Sequence, residues 1–165
     1  MGHNNGINLA YDFRVTAKFK KRMKPDQKIS LTAFPPDHAF KAYKAGYYFE
    51  ATAVLHGYLE SQMKSLFHLY AIKNSQTQLS ETWDVSEKMS YIMLSHTLFI
   101  LNIINKKEYH VLVNFNTLRN TLMHRFYLDS YEGTNKGVSI KKFESCFEPA
   151  YNLLYQLMEK VDELV

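Results

Sequence analysis

The apolar residues that follow position 36 recur at intervals of three and four, the spacing of helices that bury one face. A first helix is predicted from Asp37, just after the prolines at 35 and 36, to about Asn74. Its apolar face is predicted to contain Phe40, Tyr43, Tyr47, Val54, Tyr58, Leu66 and Tyr70. The polar stretch 74–83, NSQTQLSETW, is expected to be a loop.

A second helix is predicted from Asp84 to about Asn105, because Asp84 and Glu87 have the spacing of a capping box. A third helix is predicted from about Lys106 to Arg125. The expected apolar faces are Met89, Ile92, Met93, Leu98, Leu101 and Ile104 in the second helix, and Val111, Phe115, Leu118 and Leu122 in the third.

A second loop is expected at 131–137, YEGTNKG, before a last helix that runs from near Ser139 towards Val165. Pro149 should kink this helix or reset its start. No useful strand-like alternation occurs. The pattern therefore predicts an all-α fold, a four-helix up-and-down bundle at 37–165, preceded by an N-terminal arm at 1–36.

Composition narrows the class of protein without naming a function. The 165 residues are 46% hydrophobic and 22% charged, which is typical of a globular domain rather than a disordered chain. The single cysteine, Cys146, excludes an intramolecular disulfide framework. Neither a membrane-spanning run nor a signal peptide is visible, so a cytoplasmic protein without a membrane partner is expected.

The net charge of +4 is unevenly distributed. Residues 1–28 have a net charge of +5, with a basic cluster that includes Lys20, Lys21 and Arg22, whereas the rest of the chain has a net charge of −1. Such a cluster neutralises phosphates without reading sequence. These three residues are therefore predicted to contact the phosphates of a nucleic-acid substrate, although a solvated terminus would have the same composition.

The third helix has a polar face beside its apolar one. At about 100° per residue, Asn116, Arg119, Asn120, Met123 and His124 share an arc of about 140°. Arg119 is a permanent cation suited to two phosphate oxygens, and histidine is the side chain that exchanges protons near neutral pH. The i, i+4 spacing of Asn120 and His124 would let the amide orient the imidazole.

An arginine, an amide and a histidine fit the cleavage of RNA. The nucleophile in that reaction is the 2′-hydroxyl of the substrate, so the protein has only to move protons and stabilise charge. One histidine cannot readily act as base and acid on opposite sides of the phosphorus. A two-fold dimer would bring a second copy of the motif, so a site at a dimer interface is favoured.

The segment R119-N-T-L-M-H124, near the end of the third predicted helix, resembles the R-x4-H signature of the HEPN superfamily. The longer segment LFILNIINKKEYHVLVNFNTLRNTLMH is similar to a pattern of HEPN and mannitol-repressor-like proteins. The resemblance spans roughly 37–164, but only this segment is specific. It implies an all-helical homodimer whose paired motifs line a cleft.

Many members of that family are endoribonucleases that need no metal or other cofactor, and they often act as toxins or in defence. The resemblance implies Arg119, Asn120 and His124 as catalytic residues. Arg125 and Asn116 are expected to contact the substrate. RNA is the implied substrate, and an antitoxin or a nucleotidyltransferase-like protein is an implied partner.

Other interpretations stay open at the level of sequence. His56 and Glu60 share one face of the first predicted helix, and Glu50 and His68 lie further along the same helix. A metal site would need a third ligand in a defined geometry, and no HExxH or paired-cysteine motif is present. Other HEPN members are non-catalytic proteins, so the Arg–Asn–His face could bind a nucleotide, nucleic acid or protein instead. A helical interaction module that uses the motif for dimer packing is a third hypothesis.

Overall fold

The computed structural model describes residues 33–74, 78–125 and 137–165. This part of the chain contains six α-helices and no strand, which confirms the all-helical class. The helices are α1 (Pro35–Lys44), α2 (Tyr48–Asn74), α3 (Leu79–Glu87), α4 (Tyr91–Ile100), α5 (Lys106–Asn120) and α6 (Ile140–Leu164). A π-helical turn, Thr121–Arg125, continues α5. None of the helices so described has the length and apolar character needed to cross a bilayer.

The single helix predicted over 37–74 is wrong, since α1 and α2 are separate. Gly46 has φ +81°, a left-handed conformation that glycine adopts without steric cost and that ends α1. The start of α1 also differs from the prediction. Pro35 occupies the first turn, where its missing N–H would have no helical partner, and Asp37 lies inside the helix rather than capping it.

The predicted loop at 74–83 and the predicted helix at 84–105 are both wrong in their bounds. Helix α3 begins at Leu79, where the carboxylate of Glu81 accepts a hydrogen bond from the backbone N–H of Gln78 at 3.1 Å. Helix α4 begins after Ser90, whose hydroxyl accepts from the N–H of Met93 at 3.4 Å. The Asp84–Glu87 spacing therefore falls within α3 and does not start a helix.

Helix α4 ends at Ile100, and α5 starts at Lys106 as predicted. Asn102 has φ +56°, which a short polar side chain tolerates and which turns the chain. The amide oxygen of Asn105 accepts from the N–H of Glu108 at 3.0 Å, while the Glu108 carboxylate accepts from the N–H of Asn105 at 2.7 Å. This reciprocal capping box starts α5 at the place that positions the later Arg–His motif.

The last helix agrees with the prediction. The hydroxyl of Ser139 accepts from the N–H of Lys142 at 3.2 Å, and α6 then runs from Ile140 to Leu164. Pro149 lies inside it without resetting its start. Of the predicted loop before it, only Gly137 is described, and it is outside any helix with φ +44°.

Helix α2 is the centre of the structure and packs against every other helix, whereas α5 packs against α4 and α6. The buried seam of α2 differs from the predicted one, because Val54 and Tyr58 lie at its edge and Tyr47 is largely exposed. The seam includes Leu55, Leu59, Met63 and Leu66, and of these only Leu66 belongs to the predicted face. The predicted apolar face of α5 is largely correct, since Phe115, Leu118 and Leu122 are buried.

An ion pair holds the C-terminal part of α6 to the start of α5. The ammonium of Lys160 lies 2.8 Å from the buried carboxylate of Glu108 and donates to the carbonyl of Ile103 at 3.0 Å. Glu108 therefore serves both the helix cap and the contact between helices. The α4–α5 turn is thereby tied to the rest of the core.

Candidate functional site

The end of α5 brings the arginine and histidine of the motif into contact. Nη1 of Arg119 lies 3.0 Å from Nε2 of His124, and the same Nη1 donates to Oδ1 of Asn120 at 3.1 Å. Arg119 is partly buried, whereas Asn120 and His124 are exposed. The structure thus assembles these three residues at an accessible end of the helix.

The contact with Arg119 determines which nitrogen of His124 carries a proton in this arrangement. A guanidinium has donors and no acceptor, so Nε2 of His124 must accept. The imidazole is then neutral, with its proton on Nδ1. Its unprotonated nitrogen faces the cation, and that nitrogen would be ready to take a proton if the guanidinium moved to an anionic ligand.

The short Arg119–His124 distance depends on the π-helical turn. On a regular α-helix, residues five apart are separated by about 140° around the axis. Winding with i, i+5 hydrogen bonds widens the turn that begins at Thr121, so that the fifth residue lies closer to the first. Such π segments are frequent at functional sites.

Asn120 has a different contact from the one predicted. The i, i+4 spacing suggested that its amide would orient the imidazole of His124. Instead, its Oδ1 accepts from the guanidinium of Arg119. The amide therefore orients the arginine, and the arginine contacts the imidazole.

Asn116 faces α2. Its Oδ1 lies 3.4 Å from Nε2 of His56, which donates because an amide oxygen can only accept. The ring of His56 also stacks on that of Tyr91 in α4, with centroids 4.2 Å apart and planes at 19°. His56 thus joins three helices just behind Arg119, a role that its spacing in the sequence does not indicate.

The surroundings of His56 favour its neutral form. Burial is the main cause that lowers its pKa to about 4, and the nearby positive charge of Arg119 lowers it further, although the bond to Asn116 partly opposes both effects. A second cation therefore does not form behind Arg119 at neutral pH. Its Nε2–H remains a donor that holds Asn116 in place.

The other residues predicted to contact substrate have side chains outside the part of the chain that the structure describes. The backbone of Arg125 belongs to the π-helical turn, but its side chain lies outside the described residues. Lys20, Lys21 and Arg22 also lie outside them. Their proposed roles rest on the sequence.

The other polar residues considered as metal ligands have separate partners. Glu50 accepts from Nε2 of His38 at 2.6 Å, and Oε1 of Glu60 lies 3.8 Å from the ammonium of Lys64. His68 bonds to hydroxyls of α3. Within the described ranges, no three His, Cys, Asp or Glu side chains are grouped so as to hold a metal ion.

Comparison with known proteins found no match to a family model, to a curated protein or to a solved structure.

Proposed function

We propose that this chain is a HEPN-type endoribonuclease that acts without a metal, in a cytoplasmic toxin or defence system. The observation that carries the proposal is the contact between Arg119 and His124, 3.0 Å apart at an exposed helix end. It joins a permanent cation to a neutral imidazole with an unprotonated nitrogen. Phosphodiester cleavage by the 2′-hydroxyl of RNA needs both groups.

In the proposed reaction, the RNA phosphate draws the guanidinium of Arg119 away from His124. Nε2 of His124 then accepts the proton of the 2′-hydroxyl, whose oxygen attacks the adjacent phosphorus. The bond from phosphorus to the 5′-oxygen breaks, and that oxygen takes a proton from a protonated imidazole. The products are a 2′,3′-cyclic phosphate and a free 5′-hydroxyl, and Arg119 stabilises the charge on the phosphorane oxygens.

Two imidazoles are needed, because base and acid act on opposite sides of the phosphorus in the same step. We propose that a two-fold homodimer supplies His124 from each chain to one cleft. His56 is not the general acid, because its pKa of about 4 keeps the ring neutral at neutral pH. A neutral imidazole is too weak an acid to protonate the leaving oxygen. Sedimentation at micromolar concentration should give a dimer, and a monomer would contradict the composite site.

The cleavage test compares the wild-type chain with His124→Ala and Arg119→Ala on single-stranded RNA in the presence of EDTA. His110→Ala is the matched control, because it removes an exposed imidazole from the same helix. We expect cyclic-phosphate ends from wild type and His110→Ala. Each site variant should be slower by about a hundredfold or more.

Absence of cleavage by wild type, or equal cleavage by His124→Ala, would contradict the proposal. RNA binding that persists without cleavage would instead favour a non-catalytic HEPN-like binding protein. Purification with a bound antitoxin or nucleotidyltransferase-like protein is the way to find the expected partner. The RNA assay is therefore carried out on the chain freed of such proteins.

A further inference from the structure

Trp83, the one tryptophan of the chain, forms a half-exposed aromatic platform on α3. One face of its indole stacks on the ring of His68, with centroids 5.0 Å apart and planes at 8°. Because that face is covered and the residue is still 54% exposed, the opposite face and an edge are open to solvent. A flat ligand could stack there at little cost in side-chain entropy.

Hydrogen bonds of His68 and Ser86 fix the position of the indole. Ser86 donates its hydroxyl proton to the carbonyl of Trp83 at 3.0 Å, so its oxygen accepts from Nε2 of His68 at 3.0 Å. Nδ1 of His68 therefore accepts, and it lies 3.2 Å from the hydroxyl of Thr82. With both ring nitrogens bonded, His68 anchors the indole to the buried face of α2.

A cavity of about 340 Å³ lies beside the exposed indole. Gly57 lines one side of it, and a Cβ built at this position would meet no other atom within 4 Å. The cavity is therefore open at its Gly57 end, which is about three helical turns along α2 from His68. It is large enough for a two-ring heterocycle.

Charged groups of both signs line the same cavity. The ammonium of Lys64 lies 3.0 Å from Oε1 of Glu87 and 3.8 Å from Oε1 of Glu60. An ammonium has three donors and each carboxylate about four acceptor positions, so all three groups keep capacity for a ligand. The cavity thus combines a stacking face with adjacent donors and acceptors.

We infer that this cavity binds a purine nucleobase, with guanine preferred, stacked on Trp83 and contacted at its edge by Lys64 and the carboxylate of Glu87. Guanine presents an acceptor, O6, next to two donors, N1–H and N2–H, and a carboxylate can accept both donors in parallel. Adenine presents a single donor group there. The second carbonyl of uracil would face the carboxylate.

The position of the cavity relates this base to the proposed cleavage site. Glu60 is one helical turn beyond His56 on α2, and His56 bonds to Asn116 beside Arg119 on α5. Trp83 stacks on His68, about three helical turns or about 18 Å from His56 along α2, so a base bound there and a phosphate bound at Arg119 would be several nucleotides apart in one RNA strand. This link rests on the proposed function, whereas base binding does not.

The test is a titration of the full chain with guanosine, adenosine and uridine, followed by tryptophan fluorescence. These nucleosides lack phosphate, so the phosphate contact proposed for Arg119 is absent, and Trp83 is the only tryptophan that can respond. We expect saturable quenching, with affinity decreasing from guanosine to adenosine to uridine. No fluorescence change and no calorimetric heat at the solubility limit of guanosine would overturn the inference.

Variants then assign the binding to the cavity. By calorimetry, Trp83→Ala should weaken guanosine binding about tenfold or more, whereas Tyr47→Ala, at another exposed aromatic residue, should not. Glu87→Gln, at an exposed position, should reduce the preference for guanosine over adenosine without affecting folding. Unchanged binding by Trp83→Ala would exclude the cavity.

One further variant separates the two proposals. Arg119→Ala should lose RNA cleavage and keep the wild-type affinity for guanosine. If wild type cleaves RNA but does not bind guanosine, the nucleobase site is wrong and the proposed function stands. If guanosine binds without any cleavage, the proposed function is wrong and the site stands.

Discussion

The guanidinium of Arg119 contacts Nε2 of His124 because the helix that carries both residues changes to π winding after Asn120. An arginine can bind phosphate and a histidine can transfer protons at any exposed position of a helix. Their joint use depends on the wider turn, which brings residues five apart close together. The variant that best tests the site therefore changes register rather than residue type.

Exchanging the histidine with its neighbour tests this register. The double variant Met123→His/His124→Met keeps the composition but moves the imidazole to the i+4 position from Arg119. Regular α winding would bring i+4 close to Arg119, whereas the π turn favours i+5. We expect RNA cleavage to fall to the level of His124→Ala. Cleavage close to wild type would show that the turn is α-helical in solution.

His56 should make the stability of the fold depend on pH. Its pKa in the folded chain is about 4, compared with 6.5 when unfolded, so between these values the unfolded state binds more protons. The stability that neutral His56 contributes is fully present above about pH 6.5 and is lost as the pH falls towards 4. We expect a loss of about 1–2 kcal/mol, reduced by the partial exposure of the ring.

Urea unfolding at pH 7.5 and pH 4.5 measures this effect, with His56→Gln as the variant. Glutamine cannot titrate but can still donate to Asn116, so the pH dependence should become smaller. Some dependence should remain, because burial also lowers the pKa of His68. An unchanged pH dependence in His56→Gln would contradict the assignment to His56.

Removing the carboxylate of Glu108 should destabilise the fold more than removing its partner. Glu108→Ala loses the bond to the N–H of Asn105 and the bond to Lys160, for an expected cost of about 2–3 kcal/mol. Lys160→Met should cost less, since Glu108 keeps the helix cap. Glu159→Ala, at an exposed position nearby, should be close to neutral in the same urea experiment.

The basic cluster at 20–22 should contribute salt-dependent affinity for RNA and no chemistry. Changing Lys20, Lys21 and Arg22 to alanine should reduce the slope of log affinity against log salt by up to about 2, if each contacts one phosphate of a single strand. The cleavage rate at saturating RNA should not change. A fall in that rate would give the cluster a role in the reaction.

A matched control for this experiment removes two charges elsewhere. Lys106 and Lys107, exposed in the first turn of α5, are not predicted to contact RNA. Their alanine variant should keep the salt slope of wild type. A reduction of about two thirds of that seen with the triple variant would mean that the effect follows net charge rather than position.

Local sequence determined much of the secondary structure. The capping residues Asn105 and Ser139 start α5 and α6 where the sequence predicts, because their side chains bond to backbone groups only three residues away. Apolar periodicity also identified the buried face of α5. Periodicity missed the break at Gly46, since a left-handed residue can interrupt a helix without changing the spacing of apolar residues.

The sequence also selected Arg119, Asn120 and His124 by residue type, but their contacts could not be read from it. Tertiary structure decided that Asn116 faces His56 and that Trp83 lies on His68, because these pairs join helices distant in sequence. The π turn decided the Arg119–His124 contact. The spacing of two residues specifies the angle between their side chains only when the winding of the helix is known, because α and π winding place the fifth residue at different angles.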